Sequence, residues 1–99
     1  MTLHLLSRMI ETREVAALLN ATLRPGDTCL FIQSGVYLAV NNRFGELFSS
    51  PVSETVNFRA LADHVSARGL SDLLAPKIHT IDYTEFVTLS AENDKCITW

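Results

Sequence analysis

The chain has 99 residues, of which 47% are hydrophobic and 19% charged, and its formal net charge is −3. This composition is typical of a globular protein with enough apolar mass for a core, so we predict a single domain over residues 1–99. Eight basic residues against eleven acidic ones, with no run of Lys or Arg, argue against direct binding of nucleic acid, and no stretch approaches the roughly 20 apolar residues of a membrane span.

The first half of the chain alternates strand and helix patterns. Residues 2–6 form a short apolar run that predicts a strand, and Glu11 or Thr12 opens a helix that Pro25-Gly26 closes. Residues 29–32 form a continuous apolar run between breakers, which is typical of a parallel strand buried on both faces. The predicted buried stripe of the first helix consists of Val15, Leu18, Leu19, Thr22 and Leu23.

The alternation continues after a turn at Gln33-Ser34-Gly35 and a short apolar segment over 36–40. Residues 41–51 look irregular, with loop signals that include Ser49 and a short helical turn over 44–48. Further along, the patterns predict a strand over 55–60, a helix over 61–68 that Gly69 stops, and a strand over 77–81.

The last helix has the best-defined start in the chain. Asp82 is a good N-cap, Glu85 stands three residues later as in a capping box, and Ile81 with Phe86 fits a hydrophobic staple. We expect this helix to fray near Glu92, leaving residues 94–99 as a short tail.

This order of elements predicts an α/β fold with a mainly parallel sheet of about four or five strands and helices on both faces. Functional groups in such sheets tend to lie beyond the carboxyl ends of the strands. Here those places are Ser7-Arg8, Gln33-Ser34-Gly35, the turn near Leu61, and Asp82-Tyr83.

Few residues point to chemistry, and the sequence predicts neither a cofactor nor a metal site. The turn at Gln33 lacks a phosphate-binding motif, and Asp82 is explained by its capping role. His4, His64 and His79 lie in different elements, although His4 and His79 would approach each other if their strands were neighbours.

The two cysteines have no disulfide or metal spacing, which favours free thiols in a reducing, cytoplasmic setting. Cys29 lies in the buried run and is predicted to be core. Cys96 is predicted to be exposed, and it is the one minority candidate for a catalytic residue, although nucleophilicity requires a stabilised thiolate.

Several segments together resemble the TusB/DsrH family: LHLLSR at the start, GDTCLFIQSGVYLAV, SARGL, and above all IDYTEFVTL with a final Trp99. The resemblance runs in order along the whole chain except for 42–53. It implies a small fold of the DsrE/DsrF/DsrH type. DsrH carries a cysteine in its first helix, and an ungapped count from Gly35 places that position at Leu19, so the chain looks more like TusB.

The resemblance also implies partners. TusB-type proteins assemble with TusC-like and TusD-like subunits in a cytoplasmic heterohexamer, a dimer of heterotrimers. That complex takes persulfide sulfur from a TusA-like carrier and passes it to a TusE-like carrier, toward 2-thiouridine at the tRNA wobble position. Within it the main sulfur-bearing cysteine belongs to the D subunit.

The lack of an assembled catalytic constellation, the modest charge and the aromatic tail that ends at Trp99 favour a non-catalytic docking subunit of that complex. The sequence leaves open whether the chain is an enzyme by itself. Tyr83, Phe86 and Trp99 are candidate interface residues, because aromatic side chains are enriched at interface centres; packing of Tyr83 and Phe86 into the chain's own core is the alternative. The competing functions are an active sulfur carrier using Cys96, a DsrH-like subunit of a sulfur-oxidation complex, and a stand-alone homo-oligomeric module.

Overall fold

A computed structural model describes residues 1–48 and 50–99, so the loop predicted at Ser49 lies outside the described residues. The described residues form one sheet of five strands in the order β4-β3-β2-β1-β5, and every neighbouring pair is parallel. The prediction of an α/β fold with a parallel sheet is therefore confirmed. The strands are β1 Thr2–Leu6, β2 Thr28–Phe31, β3 Asn57–Leu61, β4 Ile78–Ile81 and β5 Lys95–Thr98.

Helices cover both faces of the sheet unequally. Successive crossovers from β1 to β4 run in one direction, and right-handed connections therefore place their helices on one face. The connection from β4 returns across the sheet to β5, which places the last helix on the opposite face. The helices are α1 Arg13–Thr22, a 3₁₀ helix Gln33–Ala39, α2 Asn41–Leu47, α3 Ser50–Thr55, α4 Ala62–Ala67 and α5 Tyr83–Glu92.

The two faces have separate apolar cores. The larger core, under α1 to α4, is built around the rings of Phe31, Phe44, Phe48 and Phe58, and the centroids of Phe44 and Phe58 are 4.8 Å apart. The smaller core, under α5, joins sheet residues Leu3, Leu30, Leu61 and Ile81 to the half-buried Phe86 and Leu89 of the helix.

The first helix buries less of its predicted stripe than expected. Thr12 caps it by accepting a hydrogen bond from the backbone N–H of Val15, as the sequence allowed. Leu19 and Leu23 are buried, but Val15 is 39% and Leu18 58% exposed, so the prediction was wrong for those two residues. Only the second half of α1 reaches the larger core, whereas Val15 and Leu18 line an open groove described below.

The predicted tail over 94–99 is wrong, because these residues form and flank a strand. β5 pairs with β1 from Thr2 opposite Lys95 to Leu5 opposite Thr98. The Trp99 N–H extends the pairing by donating to the Leu5 carbonyl over 2.8 Å. All four residues of β5 are exposed, so this edge strand has no apolar alternation that would reveal it in the sequence.

The middle of the chain is more helical than its sequence indicates. The segment after the Gln33 turn is a 3₁₀ helix, and α2 and α3 occupy most of the stretch that looked irregular. The helix stop at Gly69 is confirmed, since its φ of +67° is the left-handed conformation of a helix C-terminus.

Candidate functional site

The carboxyl ends of all five strands lie along the same end of the sheet, because every neighbouring pair is parallel. The end of β1 lies beside the end of β5. The chain leaves β1 toward α1 on the face of the larger core, and Trp99 after β5 packs against that same core. Open α/β sheets usually place binding crevices beyond the carboxyl ends of their strands. A groove of about 500 Å³ lies there, and it is lined by Arg8, Met9, Ile10, Glu11, Thr12, Val15, Leu18, Thr98 and Trp99.

Trp99 closes one side of this groove and is anchored to the interior of the chain. Its indole Nε1–H donates to Nδ1 of His4 over 3.1 Å, and the two rings lie with centroids 6.2 Å apart. The Ser7 hydroxyl donates to the Trp99 carbonyl oxygen over 3.3 Å. The sequence predicted no such contacts, because Trp99 and His4 are 95 residues apart and no spacing rule connects them.

His4 is fully buried, and its second ring nitrogen contacts a buried carboxylate. Nε2 lies 3.2 Å from Oδ2 of Asp27, whose residue is only 3% exposed. Since an indole N–H only donates, Nδ1 of His4 must be the unprotonated acceptor, and Nε2–H must donate to Asp27. This assigns one neutral tautomer to His4.

The proximity of serine, histidine and aspartate does not make a nucleophilic triad. Such a triad needs the serine hydroxyl to donate to the imidazole nitrogen that does not face the carboxylate. Here that nitrogen accepts from Trp99, and Ser7 donates to a carbonyl oxygen instead. The arrangement links β1, β5 and the turn before β2, which is a structural role.

Asp27 is held in its ionised form. Burial raises the pKa of this carboxyl, but hydrogen bonds from the backbone N–H groups of Thr2 and Arg24, and the contact with His4, lower it by more, so the pKa lies below its ordinary value. The distances to the two backbone nitrogens are 3.0 and 3.1 Å. Both carboxylate oxygens are therefore hydrogen-bonded: Oδ1 accepts from Thr2, and Oδ2 accepts from Arg24 and His4.

The two cysteines are both free thiols in contrasting surroundings. Cys29 is fully buried in β2, as predicted, and burial together with the nearby charge of Asp27 raises the pKa of its thiol. Cys96 is exposed on β5, also as predicted, and is paired in register with Leu3 of the smaller core. It therefore lies on the α5 face of the sheet, away from the His4 cluster.

Helix α5 presents an apolar surface to solvent. Its start is capped as predicted: the Glu85 N–H donates to Asp82 over 2.8 Å, and Glu85 reaches back to the Asp82 N–H. Tyr83 and Val87, one turn apart, are 66% and 55% exposed. The ring of Phe86 packs against the smaller core and meets the Tyr83 ring edge-on at 5.7 Å.

The three histidines stay apart. β2 and β3 separate the strands of His4 and His79, so the approach of these two residues that the sequence left open does not occur. Nδ1 of His64 accepts the Gln33 N–H over 2.7 Å, which supports the turn where Gln33 has a left-handed φ of +51°. Within residues 1–48 and 50–99, no group of three metal-binding side chains comes together, and no helix is long and apolar enough to cross a membrane.

Comparison with known proteins identifies the family. The family model of DsrH-like proteins matches residues 9–96. The chain belongs to the TusB/DsrH family. Leu19, where the resemblance placed the DsrH cysteine, is a fully buried residue of α1 and packs in the larger core.

Curated relatives named Protein TusB match almost the whole chain. The protein from Escherichia coli O81 is 37% identical over 99 residues, covering 98% of this chain and 99% of the relative. The protein from Enterobacter sp. strain 638 is 34% identical over 98 residues, with the same coverage. That from Photorhabdus laumondii is 33% identical over 81 residues, covering 82% of this chain and 83% of the relative.

Two solved structures share the fold. The crystal structure of the YchN protein from Escherichia coli superposes with a TM-score of 0.66 and covers 99% of this chain and 98% of its own, at 14% identity. The solution structure of Tm0979 from Thermotoga maritima gives 0.63 and covers 95% and 97%, at 27% identity. The fold expected from the resemblance is thus confirmed.

Proposed function

We propose that this chain is a non-catalytic docking subunit of a TusBCD-like sulfur-relay complex. The complex passes persulfide sulfur toward 2-thiouridine at the tRNA wobble position. Membership of the TusB/DsrH family supports the sulfur-relay role. The observation that carries the docking role is the apolar surface of α5, where Tyr83 and Val87 are more than half exposed.

The partners in this proposal are TusC-like and TusD-like subunits in a cytoplasmic heterohexamer, a dimer of heterotrimers. TusA-like and TusE-like carriers deliver and receive the sulfur through the complex. The net charge of −3 supports contact with proteins rather than direct contact with tRNA.

The three candidate interface residues have different surroundings in the isolated chain. Tyr83 offers most of its ring to a partner, whereas Phe86 offers only the part not packed against the sheet. Trp99 offers the part that lines the groove, since its indole N–H is already bonded to His4. We therefore propose Tyr83 as the main contact, supported by Phe86 and bordered by Trp99.

Replacing Tyr83 and Val87 together by serine is expected to weaken assembly by about thirtyfold or more, since central interface aromatics are often hot spots. The measurement is co-purification and titration of the variant with TusC-like and TusD-like subunits. Tyr37→Ser is the matched control, because Tyr37 is 41% exposed on the opposite face and its loss leaves the α5 surface intact.

If the double variant assembles with its partners as well as the wild type does, the proposed α5 interface is contradicted. Unfolding measurements on the isolated variants separate weaker docking from weaker folding, because neither Tyr83 nor Val87 is buried in the chain itself. A second variant lacks only Trp99. If it co-purifies with the TusC-like and TusD-like subunits as well as the wild type does, Trp99 is not part of the interface.

A sulfur-carrier role for Cys96 is the second candidate, supported by its exposure on β5. In that role its thiolate would attack the outer sulfur of a donor persulfide, forming a persulfide on Cys96 and releasing the donor thiol. Cys96→Ser would then abolish persulfide labelling of this subunit and lower tRNA thiolation. We expect both to remain at wild-type levels, with the buried Cys29 unlabelled in either protein.

The mass of the native complex, with persulfide mapped to each subunit, distinguishes the remaining alternatives. A stand-alone homo-oligomer contains this chain alone. A DsrH-like subunit of a sulfur-oxidation complex co-purifies with partners but leaves tRNA thiolation unchanged when it is deleted.

A further inference from the structure

We propose that His4, Asp27 and Trp99 form an acid-sensitive clamp. At neutral pH the clamp holds the Trp99 indole against the sheet, and a second proton on His4 releases the indole. This inference concerns the chain's own end strand and does not depend on the sulfur-relay role.

The clamp depends on the orientation of two N–H groups. The indole Nε1–H lies 3.1 Å from Nδ1 of His4 and has no acceptor capacity. A proton added to the neutral imidazole enters at Nδ1, since Nε2 already carries one toward Asp27. Two N–H groups would then face each other, so the hydrogen bond is lost and the indole must move.

The charged group that faces His4 is the carboxylate of Asp27. It contacts Nε2 from the turn before β2, and it can accept the Nε2–H of either the neutral or the protonated ring. Cys29 is the register partner of His4 on β2 and stays a neutral thiol. The cationic side chains nearby, Arg24 in that turn and Lys95 on β5, are both exposed to solvent.

Release is expected to be local rather than global. Protonation replaces the contact between His4 and Asp27 with a buried ion pair, so the link between β1 and the turn before β2 becomes stronger while the link to Trp99 is lost. β5 is an exposed edge strand. Besides that link, its end is held by the Trp99 N–H bond to the Leu5 carbonyl and by the Ser7 hydroxyl, which donates to the Trp99 carbonyl oxygen. The last residues should therefore open while the larger core stays closed.

The sequence contains one tryptophan, which makes the test direct. The probe is the indole N–H signal in NMR, and its protection against hydrogen exchange is the measured rate corrected for the intrinsic rate at each pH. We expect protection to fall by about fivefold or more when the pH is lowered from 8 to 5.5. Amides of β2 and β3 should keep their protection.

Two variants provide matched controls. His4→Asn keeps an acceptor oxygen near the position of Nδ1 and gains no proton, so its indole protection should be independent of pH. A variant with His64→Gln and His79→Gln removes the other two histidines and should respond like the wild type. Ring nitrogen shifts of His4 in the wild-type chain give the tautomer directly, so the test stands even if His4→Asn fails to fold.

Three results would overturn the clamp. The first is an Nδ1-protonated His4 at pH 8. The second is indole protection that stays constant down to pH 5.5, whether or not His4 titrates. The third is a loss of indole protection together with that of the core amides, which would mean acid unfolding of the whole chain.

Discussion

Replacing Gly35 by alanine is expected to prevent stable folding, with a loss of about 4 kcal/mol or more in the free energy of unfolding. An added Cβ at this position would lie 1.8 Å from the Leu6 carbonyl oxygen and 2.5 Å from its carbon. That carbonyl accepts the Ile32 N–H over 3.0 Å at the ends of β1 and β2. The sheet and the 3₁₀ helix would have to separate to admit one methyl group.

Gly45→Ala is the matched control, and its effect should have the opposite sign. Gly45 lies inside α2, and an added Cβ there meets no atom within 4 Å. Alanine should therefore stabilise the chain by about 0.5–1 kcal/mol, because it restricts the unfolded chain and favours helix. Urea unfolding of both variants measures the two changes in the free energy of unfolding. A soluble Gly35→Ala protein of wild-type stability would refute the close-contact argument.

The parallel sheet was predictable because its central strands are apolar on both sides. Residues 29–31 of the predicted run lie in β2 between two other strands and are buried as predicted, whereas Ile32 follows the strand and is half-buried. The start of α5 was equally clear, since a capping box depends only on residues three apart. Both signals are local, and neither needs knowledge of the rest of the chain.

β5 was missed because its pairing is not local. Lys95–Thr98 are exposed, and their place in the sheet is set by β1, more than 90 residues earlier. The same separation concealed the contact of Trp99 with His4. A histidine in an apolar strand and an aspartate before the next strand were visible in the sequence, but no spacing rule connects them to a final tryptophan.

Trp99 illustrates how a family marker can have two roles. The resemblance marked it as a family feature, the enrichment of aromatic residues at interfaces made it a candidate contact for partners, and its groove-facing side remains available for that role. The structure also gives it a role inside the chain, where its N–H fixes the tautomer of His4 and its backbone extends β5. Any loss of assembly on removing Trp99 must therefore be compared with the stability of the isolated chain.

Replacing Asp27 by alanine is the second change with a large expected effect, about 3 kcal/mol or more of lost stability at pH 7. The variant leaves the Thr2 N–H and the Nε2–H of His4 without their carboxylate partner in a buried site. Asp27→Asn keeps an acceptor oxygen at the same place and should lose less. Urea unfolding at pH 7 measures both losses.

The pH dependence of the Asp27 variants follows from the lowered pKa of this carboxyl. The unfolded chain binds the proton at a higher pH than the folded chain does, so the stabilisation is fully present above about pH 5 and is lost as the pH falls through the pKa of the folded state. The stability gap is the difference in free energy of unfolding between the wild type and Asp27→Asn. It should therefore become smaller once the pH falls below 3.8, the ordinary pKa of the carboxyl. A gap that stays constant from pH 7 to pH 3 would mean that Asp27 stabilises the fold through its shape and not through its charge.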